Sequence, residues 1–312
     1  MSTMTSQRPR TPGGYLASQK NRAKIRSKET GAPVGELLQL HFHRRLIARV
    51  FHGDEAVDWV LKGGQALLVR WPTARYSTDI DLLSTQATTD AAVAALRTAA
   101  ALRLDDEIWF DHISTSQQTH VERPTRKVRF MAMFENAPLK HTVNVDVVVS
   151  RQMPRGVVTT EPLEPAFATD CDPWPAARVF PIEDHVAEKI CAMYERHRAG
   201  GNPSTQYKDL VDLILFALNV PLVGTKVHHI LRDEVDRRTG RGMVVELPDR
   251  FQVPDLQSWT GGYRRAAQGV SELPPELRSL AGASGLADAF LTPLLKSRPP
   301  TGVWHPDQQI WQ

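Results

Sequence analysis

A glycine pair and a pair of aspartates lie close together in this sequence, and their spacing suits phosphate chemistry. Lys62-Gly63-Gly64 is followed, thirteen residues after Gly64, by Ser77-Thr78-Asp79-Ile80-Asp81. Glycines let backbone N–H groups approach phosphate oxygens, and the N-terminus of a following helix favours negative charge. In a strand, Asp79 and Asp81 project to the same side, where Mg²⁺ commonly bridges such carboxylates and substrate phosphates. The pattern therefore predicts a nucleotide site with a magnesium ion at the two aspartates.

A third carboxylate is expected at Asp146. The run from Thr142 to Val149 is rich in β-branched residues and predicts a strand in which Asn144 and Asp146 share one face. Valines occupy the other face. Because an acid inside such a strand is costly to bury without a partner, we expect Asp146 to act as both a metal ligand and a catalytic residue.

Other charged and polar residues have two readings each. Arg75 can hold a phosphate or pair with a carboxylate, and Ser77 can donate its hydroxyl to a phosphate oxygen or cap a turn. Lys189 lies beside an apolar helical stripe, from which it can snorkel to solvent or reach a triphosphate as a point charge. Asp209 and Asp212 both lie near the start of a predicted helix, and the sequence alone does not choose between them.

The pattern of apolar residues indicates an α+β fold whose C-terminal half is helical. The predicted elements are a helix over Gly35–Phe51, strands over Val57–Leu61 and Asp79–Leu83, a helix over Asp90–Arg103, a β region over 107–150, an irregular proline-rich stretch over Pro154–Pro181, and helices over Glu183–Arg198, Tyr207–Leu218 and Thr225–Arg238. We therefore expect a core domain over residues 34–165 and a mainly helical domain over residues 166–312.

The first 33 residues differ in composition from the rest of the chain. They are rich in Ser, Thr, Pro and Gly, and the stretch from Arg8 to Lys28 carries seven basic residues and no acid. This composition predicts a flexible basic segment, with a basic arm on RNA phosphates as the alternative. A net charge of +3 permits a nucleic-acid partner without demanding one.

Composition places the chain among soluble cytoplasmic proteins. Hydrophobic residues make up 41% of it and charged residues 23%, as in a globular protein, and no run approaches eighteen apolar residues. The N-terminus has no apolar core after its charges, so we expect neither a secretory signal nor a membrane partner. Cys171 and Cys191 lack metal-ligand company and are expected to be reduced thiols.

Several of these motifs together resemble a known family. They are Leu-Lys-Gly-Gly-Gln-Ala-Leu at 61–67, Arg-Tyr-Ser-Thr-Asp-Ile-Asp-Leu at 75–82, Asn-Val-Asp-Val at 144–147, Glu-Lys-Ile-Cys-Ala at 188–192 and Lys-Asp-Leu-Val-Asp-Leu at 208–213. From about Gly35 to Leu218 the chain resembles the AbiEii/MenT nucleotidyltransferase toxins of type IV toxin–antitoxin systems.

The resemblance implies a polymerase-β-like nucleotidyltransferase core with a mixed β-sheet. It also implies Mg²⁺-dependent transfer of NMP from an NTP to an RNA 3′ end, with the tRNA acceptor stem as the expected target, which blocks translation. A cognate antitoxin is the implied protein partner. In some relatives the antitoxin phosphorylates a Ser or Thr just before the first acid, which makes Ser77 and Thr78 the candidates here.

The site roles carried over from the family fall on matching positions of this sequence. The phosphate-binding motif matches Gly63, Gly64 and Ser77, the metal-binding pair matches Asp79 and Asp81, and the two later motifs match Lys189 and Asp209. The resemblance thus favours Asp209 over Asp212. The chain departs from the family where an arginine often precedes the fourth motif, because Gln206-Tyr207 stand there instead.

Other functions remain open at this point. The nucleotide acceptor can be a small molecule such as an aminoglycoside, or a protein hydroxyl. A different class is a non-catalytic module that binds RNA or a protein on a transferase scaffold. The sequence has no G-x-x-x-x-G-K-[ST] and no G-x-G-x-x-G, which argues against a P-loop or a dinucleotide site.

Overall fold

A computed structural model describes residues 11–117, 125–150, 152–170, 174–196 and 201–312. The chain divides into two compact units. The first spans Met1–Val69, Ser77–Met153 and Thr160–Val179, and the second spans Arg70–Tyr76, Pro154–Thr159 and Phe180–Gln312.

The first unit is built on a mixed β-sheet with helices. In chain order its elements are α1 (Pro12–Thr30), α2 (Val34–Val50), β1 (Trp59–Lys62), α3 (Gly63–Arg70), β2 (Ile80–Ser84), α4 (Thr89–Ala100), β3 (Ile108–Gln117), β4 (Thr125–Phe134), β5 (Ala137–Val149), β6 (Thr159–Pro162) and β7 (Ala176–Val179). A short 3₁₀ helix, Asp54–Asp58, leads into β1.

The seven strands of this sheet run in the order β3-β4-β5-β2-β1-β7-β6. Strands β3, β4 and β5 form an antiparallel meander. Strand β2 is parallel to β5 and antiparallel to β1, and β1 is parallel to β7. Both orientations therefore occur, and the predicted α+β class with a mixed sheet is confirmed.

Alternation along β5 decides which face of the sheet is core. Val143, Val145 and Val147 are fully buried, whereas Asn144 and Asp146 are only partly buried. Helices α2 and α4 contact this strand and each other. The valine face is thus closed by the helices, which leaves the polar face for chemistry, as the sequence pattern predicts.

Helix α1 corrects the prediction of a flexible N-terminal segment for residues 12–30. The Thr11 hydroxyl accepts a hydrogen bond from the Gly14 N–H at 3.0 Å, and Gly31 ends the helix with a left-handed φ of 75°. Tyr15 and Ala23 are buried on one stripe of the helix. So narrow a buried stripe is hidden by the basic composition around it. Arg8 and Arg10, also in that prediction, lie outside the described residues.

The second unit is mainly helical. Its elements are α5 (Ile182–Tyr194), β8 (Glu195–Arg196), α6 (Tyr207–Asn219), β9 (Leu222–Val223), α7 (Gly224–Thr239), β10 (Val244–Val245), α8 (Leu256–Ala267), α9 (Leu280–Leu295), β11 (Val303–His305) and β12 (Ile310–Trp311). Helix α6 contacts α5, α8 and α9. The chain end packs on this unit through Trp304, whose indole N–H donates to the Ala217 carbonyl at 2.7 Å.

The observed division of the chain differs from the predicted boundary between residues 165 and 166. The first unit continues to Val179, because β7 extends the sheet by pairing Val179 with Leu61 of β1. A strand of four residues inside a proline-rich stretch gives little local signal, which is why the sequence predicts irregular structure there. In the part of the chain that the structure describes, no helix is long and apolar enough to cross a membrane.

Candidate active site

The turn between β1 and α3 brings Gly63 against Asp81. The two strands are antiparallel with Lys62 opposite Asp81, so the turn that follows β1 lies beside this carboxylate. Gly63 has a φ of +60°, and a Cβ built on it would lie 1.9 Å from Asp81 Oδ2. Only glycine fits both the left-handed backbone and the space. The first glycine of the predicted phosphate motif therefore lies in direct contact with the second acid of the predicted metal pair.

Asp81 and Asp146 are neighbours on adjacent parallel strands. The register pairs Asp81 with Asp146, and it pairs Ile80 with Val145 one residue earlier. Ile80 and Val145 are buried, so the two aspartates project to the opposite, accessible face. The predicted third carboxylate lies where the β-strand pattern placed it.

Asp79 reaches the same face although it precedes β2 rather than lying in it. Its Oδ1 accepts a hydrogen bond from the Asn144 amide at 3.2 Å. Its Oδ2 lies 3.6 Å from the ammonium of Lys127, which is also 4.0 Å from Asp146 Oδ1. Asp79 and Asp146 therefore flank one lysine, and the structure brings all three predicted acids to one side of the sheet.

The donor set of these acids fits a hard divalent cation, because carboxylate oxygens are the ligands that Mg²⁺ prefers. Among the residues described, however, no group of three or more His, Cys, Asp and Glu side chains is arranged to hold a metal ion. Lys127 supplies the positive charge beside Asp79 and Asp146 instead. That Asp79, Asp81 and Asp146 hold Mg²⁺ stays a prediction.

A buried hydrogen-bonded network of Gln39, His43 and Gln65 contacts the segment at Ser77, and it is not predicted by the sequence analysis. The Gln65 amide nitrogen lies 2.8 Å from His43 Nδ1 and donates to the Ser77 carbonyl at 3.1 Å. The other ring nitrogen of His43 lies 2.9 Å from the Gln39 amide. Gln65 and His43 are fully buried. This network thus joins α2, the first turn of α3 and the segment that leads into Asp79.

Burial determines the protonation of His43. Desolvation by burial, opposed by the negative charge of Asp79 and assisted by the positive charge of Arg44, lowers the pKa of this histidine to about 4. His43 is therefore neutral at physiological pH and accepts a hydrogen bond at one ring nitrogen. The sequence gives one indication of this network, because Gln65 directly follows the glycine pair.

Ser77 and Thr78 differ in exposure. Ser77 is half-buried and its hydroxyl donates to the Asp79 carbonyl at 3.2 Å, whereas Thr78 is exposed. The hydroxyl of Ser77 thus stabilises the turn before Asp79, one of its two sequence readings. A phosphate contact through Ser77 or Gly64 stays a prediction.

In the second unit, Asp212 is the centre of a buried ion cluster. Arg75 donates to both of its carboxylate oxygens, at 2.9 and 2.8 Å, and the Lys189 ammonium donates to Oδ2 at 2.5 Å. Lys189 also donates to Asp209 at 2.9 Å. Arg75 therefore adopts the carboxylate-pairing reading.

Charge pairing outweighs burial in setting the ionisation of this cluster. Burial alone raises the pKa of Asp212, but Arg75 and Lys189 hold it below its usual value. Burial likewise lowers the pKa of Lys189, yet Asp209 and Asp212 raise it above its ordinary range. Asp212 and Lys189 are therefore both charged at neutral pH. Asp212, which sequence reasoning set aside, is fully buried, whereas Asp209 keeps 16% of its side chain exposed.

Comparison with sequence models of protein families gives a match that spans most of the chain. Residues 45–290 match the nucleotidyl transferase AbiEii toxin of type IV toxin–antitoxin systems. The chain belongs to the AbiEii family. The resemblance stated from its motifs is confirmed, and the family is one of nucleotidyltransferase toxins.

Solved structures that match this chain include two bacterial proteins. MenT4, a nucleotidyltransferase toxin from Mycobacterium tuberculosis, is 16% identical, with 83% of this chain and 90% of that chain covered and a TM-score of 0.49. JHP933 from Helicobacter pylori is 16% identical, with 66% of this chain and 79% of that chain covered and a TM-score of 0.39. No curated protein sequence matches the chain.

Proposed function

We propose that this AbiEii-family protein transfers a nucleoside monophosphate from an NTP to the 3′-hydroxyl of an RNA, with tRNA as the acceptor, and so blocks translation. The observation that carries the proposal is the gathering of three acids beside the glycine turn. Asp81 lies against Gly63, and Asp79 and Asp146 flank Lys127 on the same face of the sheet. The tRNA acceptor itself rests on the family resemblance.

The proposed reaction forms one bond and breaks one bond. The RNA 3′ oxygen attacks the α-phosphorus, and the bond from that phosphorus to the oxygen bridging to the β-phosphorus breaks. Pyrophosphate leaves with the electron pair, and a carboxylate oxygen of Asp146 accepts the hydroxyl proton. When bound by Asp79, Asp81 and Asp146, Mg²⁺ would neutralise charge on the entering and leaving oxygens.

The protein's own residues bind and orient the nucleotide in this proposal. Gly63 and Gly64 open helix α3, where backbone N–H groups and the helix N-terminus favour phosphate. Ser77 supplies a hydroxyl, and the ammonium of Lys127 adds positive charge beside two acids. The hydrogen-bonded network through Gln65 keeps the Ser77 segment in position.

Arg75, Lys189 and Asp209 enter the proposal on the family motifs. The resemblance gives Lys189 a charge on the triphosphate and Asp209 the acid of the fourth motif, and Arg75 was predicted beside the phosphates. All three take part in the ion cluster around Asp212. Their catalytic and nucleotide-binding roles remain predictions.

An antitoxin is the partner that a type IV system implies. We expect it to act on this site if it phosphorylates Ser77 or Thr78, because a phosphate next to Asp79 would repel both the acid and an incoming triphosphate. Mass spectrometry of the protein co-expressed with its antitoxin tests this expectation. A phosphorylated peptide containing both residues supports it, and an unmodified peptide from neutralised protein rejects it.

The decisive experiment offers several acceptors in parallel. The purified protein is incubated with Mg²⁺ and each α-labelled NTP, together with tRNA, periodate-oxidised tRNA, a protein mixture or an aminoglycoside. The proposal predicts label on intact tRNA and none on oxidised tRNA, whose 3′-hydroxyl is destroyed. If label is found only on the antibiotic or only on protein, that molecule is the acceptor and the proposal of an RNA acceptor is rejected. No label at all, with no Mg²⁺–NTP binding in calorimetry, identifies a non-catalytic binding module.

A further inference from the structure

Helix α1 presents a row of lysines on the face opposite its buried stripe. Tyr15 and Ala23 are buried, whereas Lys20, Lys24 and Lys28 are exposed. The lysines recur every four residues, so at a rise of ~1.5 Å per residue they lie ~6 Å apart along one side of the helix. We call this row of three residues the lysine stripe.

In the described part of the chain, the ion pairs of α1 are formed by Arg22 and Arg26, and none of them involves a lysine of the stripe. The sole acidic residue of α1, Glu29, forms its ion pair with Arg26. The stretch from Arg8 to Lys28 holds seven basic residues, more than the net charge of +3 of the whole chain, so the remainder is net acidic. Five of the seven lie in α1, whose single acid leaves the helix with a net charge of +4, so the net positive charge of the chain is carried by its first helix.

We infer that the lysine stripe binds the phosphate backbone of the acceptor RNA. The inference rests on the proposed function for the identity of the acceptor and goes beyond it by assigning a surface. Evenly spaced ammonium groups suit a row of phosphates, which lysine binds as a point charge. Backbone contacts of this kind fix the position of a nucleic acid without reading its sequence.

The composition of the stripe argues against a protein partner. Centres of protein–protein interfaces are enriched in aromatic residues, methionine and arginine, and they are depleted in lysine. The stripe has lysine and no aromatic residue. The exposed apolar side chain of α1, Ile25, lines a separate groove of about 480 Å³ together with Arg22 and Phe167.

The test replaces all three lysines with glutamine, which favours helices about as well and removes the charge. The variant is Lys20→Gln/Lys24→Gln/Lys28→Gln. The matched control, Arg97→Gln/Lys140→Gln/Lys296→Gln, removes the same charge from exposed positions elsewhere. Binding of bulk tRNA and of oligouridylate is measured by fluorescence anisotropy at several salt concentrations. Circular dichroism checks that both variants fold as the parent does.

The inference predicts a loss of tRNA affinity of tenfold or more in the lysine variant and little change in the control. The slope of log affinity against log salt is negative, and its magnitude should decrease by about 2. The variant loses three phosphate contacts, and each contact to a single strand contributes about 0.7. Unchanged affinity and slope in the lysine variant overturn the inference. Equal displacement of tRNA by poly-L-glutamate of matched charge also overturns it, because the surface would then serve an acidic protein.

The binding assay contains no NTP, so its outcome is separable from that of the proposed function. If the lysine variant loses tRNA binding while the parent transfers no label to any acceptor, the surface assignment stands and the proposed activity fails. If the parent labels tRNA and the lysine variant binds and labels it equally well, the activity stands and the surface assignment fails.

Discussion

Gly63 and Asp81 lie so close together that a Cβ at position 63 would occupy the space of the Asp81 carboxylate. The Gly63 backbone has a φ of +60°, and the space for a Cβ is taken by the Asp81 carboxylate, whose Oδ2 would be 1.9 Å away. The turn that is expected to hold phosphate and the acid expected to hold the cation are therefore one steric unit. A side chain added at position 63 must therefore displace the Asp81 carboxylate or shift the turn.

Replacing Gly63 tests this contact. Gly63→Ala must displace the Asp81 carboxylate or shift the turn, and it adds a strained backbone conformation costing about 1–3 kcal/mol. We expect nucleotide transfer to fall by at least a hundredfold while the variant still folds. The matched control is Gly35→Ala in α2, where a Cβ meets nothing within 4 Å. Equal activity of the two variants would reject the steric coupling.

The alternation of residues explains why the sequence located the acids. Asp81 and Asp146 each lie between apolar residues of a predicted strand, so each side chain must point away from the core once its strand forms. Asp81 faces Asp146 because β2 pairs with β5 in this register, and Asp79 joins them from the segment before β2. The sequence could not locate Lys127. Its place between Asp79 and Asp146 follows from the pairing of β4 with β5, and the register of two strands is not written in either one.

Two other features were not predicted from the sequence: the burial of Asp212 and the helix α1. Asp209 and Asp212 lie one turn apart on one helix face, and only packing shows that Asp212 is the buried partner of two cations. Helix α1 was hidden because its buried stripe is narrow and its composition is basic. Local sequence thus indicated the polar face of the sheet, whereas the charge partners depended on tertiary contacts.

Lys127 competes with a divalent cation for two acids. Lys127→Met leaves Asp79 and Asp146 without their ammonium, so Mn²⁺ or Mg²⁺ should bind about two- to fivefold more tightly, corresponding to an ion pair worth roughly 0.5–1 kcal/mol at this exposure. Isothermal titration calorimetry measures the change, with the exposed Lys140→Met as control. Weaker cation binding in Lys127→Met would mean that the lysine does not oppose the cation.

Asp212 should be the most sensitive position of the ion cluster. Asp212→Asn leaves Arg75 and Lys189 with one acid, Asp209, and breaking a buried pair in this way costs about 3–5 kcal/mol. Urea unfolding should show this loss, and Asp209→Asn should lose less because Lys189 keeps Asp212. Equal losses in the two variants would contradict a central role for Asp212.

The buried histidine makes stability depend on pH. His43 has a folded pKa of about 4, below its ordinary value of 6.5, so the unfolded chain takes up the proton first as the pH falls. Stability from the neutral ring is present above pH 6.5 and is lost progressively down to about pH 4.

His43→Asn keeps an acceptor for Gln65 but cannot titrate. Between pH 6.5 and pH 4 the wild type should lose about 3 kcal/mol more unfolding free energy than this variant, since one pKa unit corresponds to about 1.4 kcal/mol. The exposed His229→Asn should follow the wild type throughout. Parallel pH profiles for wild type and His43→Asn would show that His43 is protonated as readily in the folded protein as in the unfolded chain.

In the proposed function, Asp79, Asp81 and Asp146 direct transfer of the α-phosphate of an NTP to an RNA 3′ end. The most direct measurement compares α-labelled with γ-labelled NTP on intact tRNA, using the wild type, Asp81→Asn and the exposed control Asp111→Asn. We expect that tRNA gains only the α-label, that Asp81→Asn transfers none, and that Asp111→Asn behaves as wild type. Transfer of the γ-label, or full activity of a folded Asp81→Asn, would contradict it.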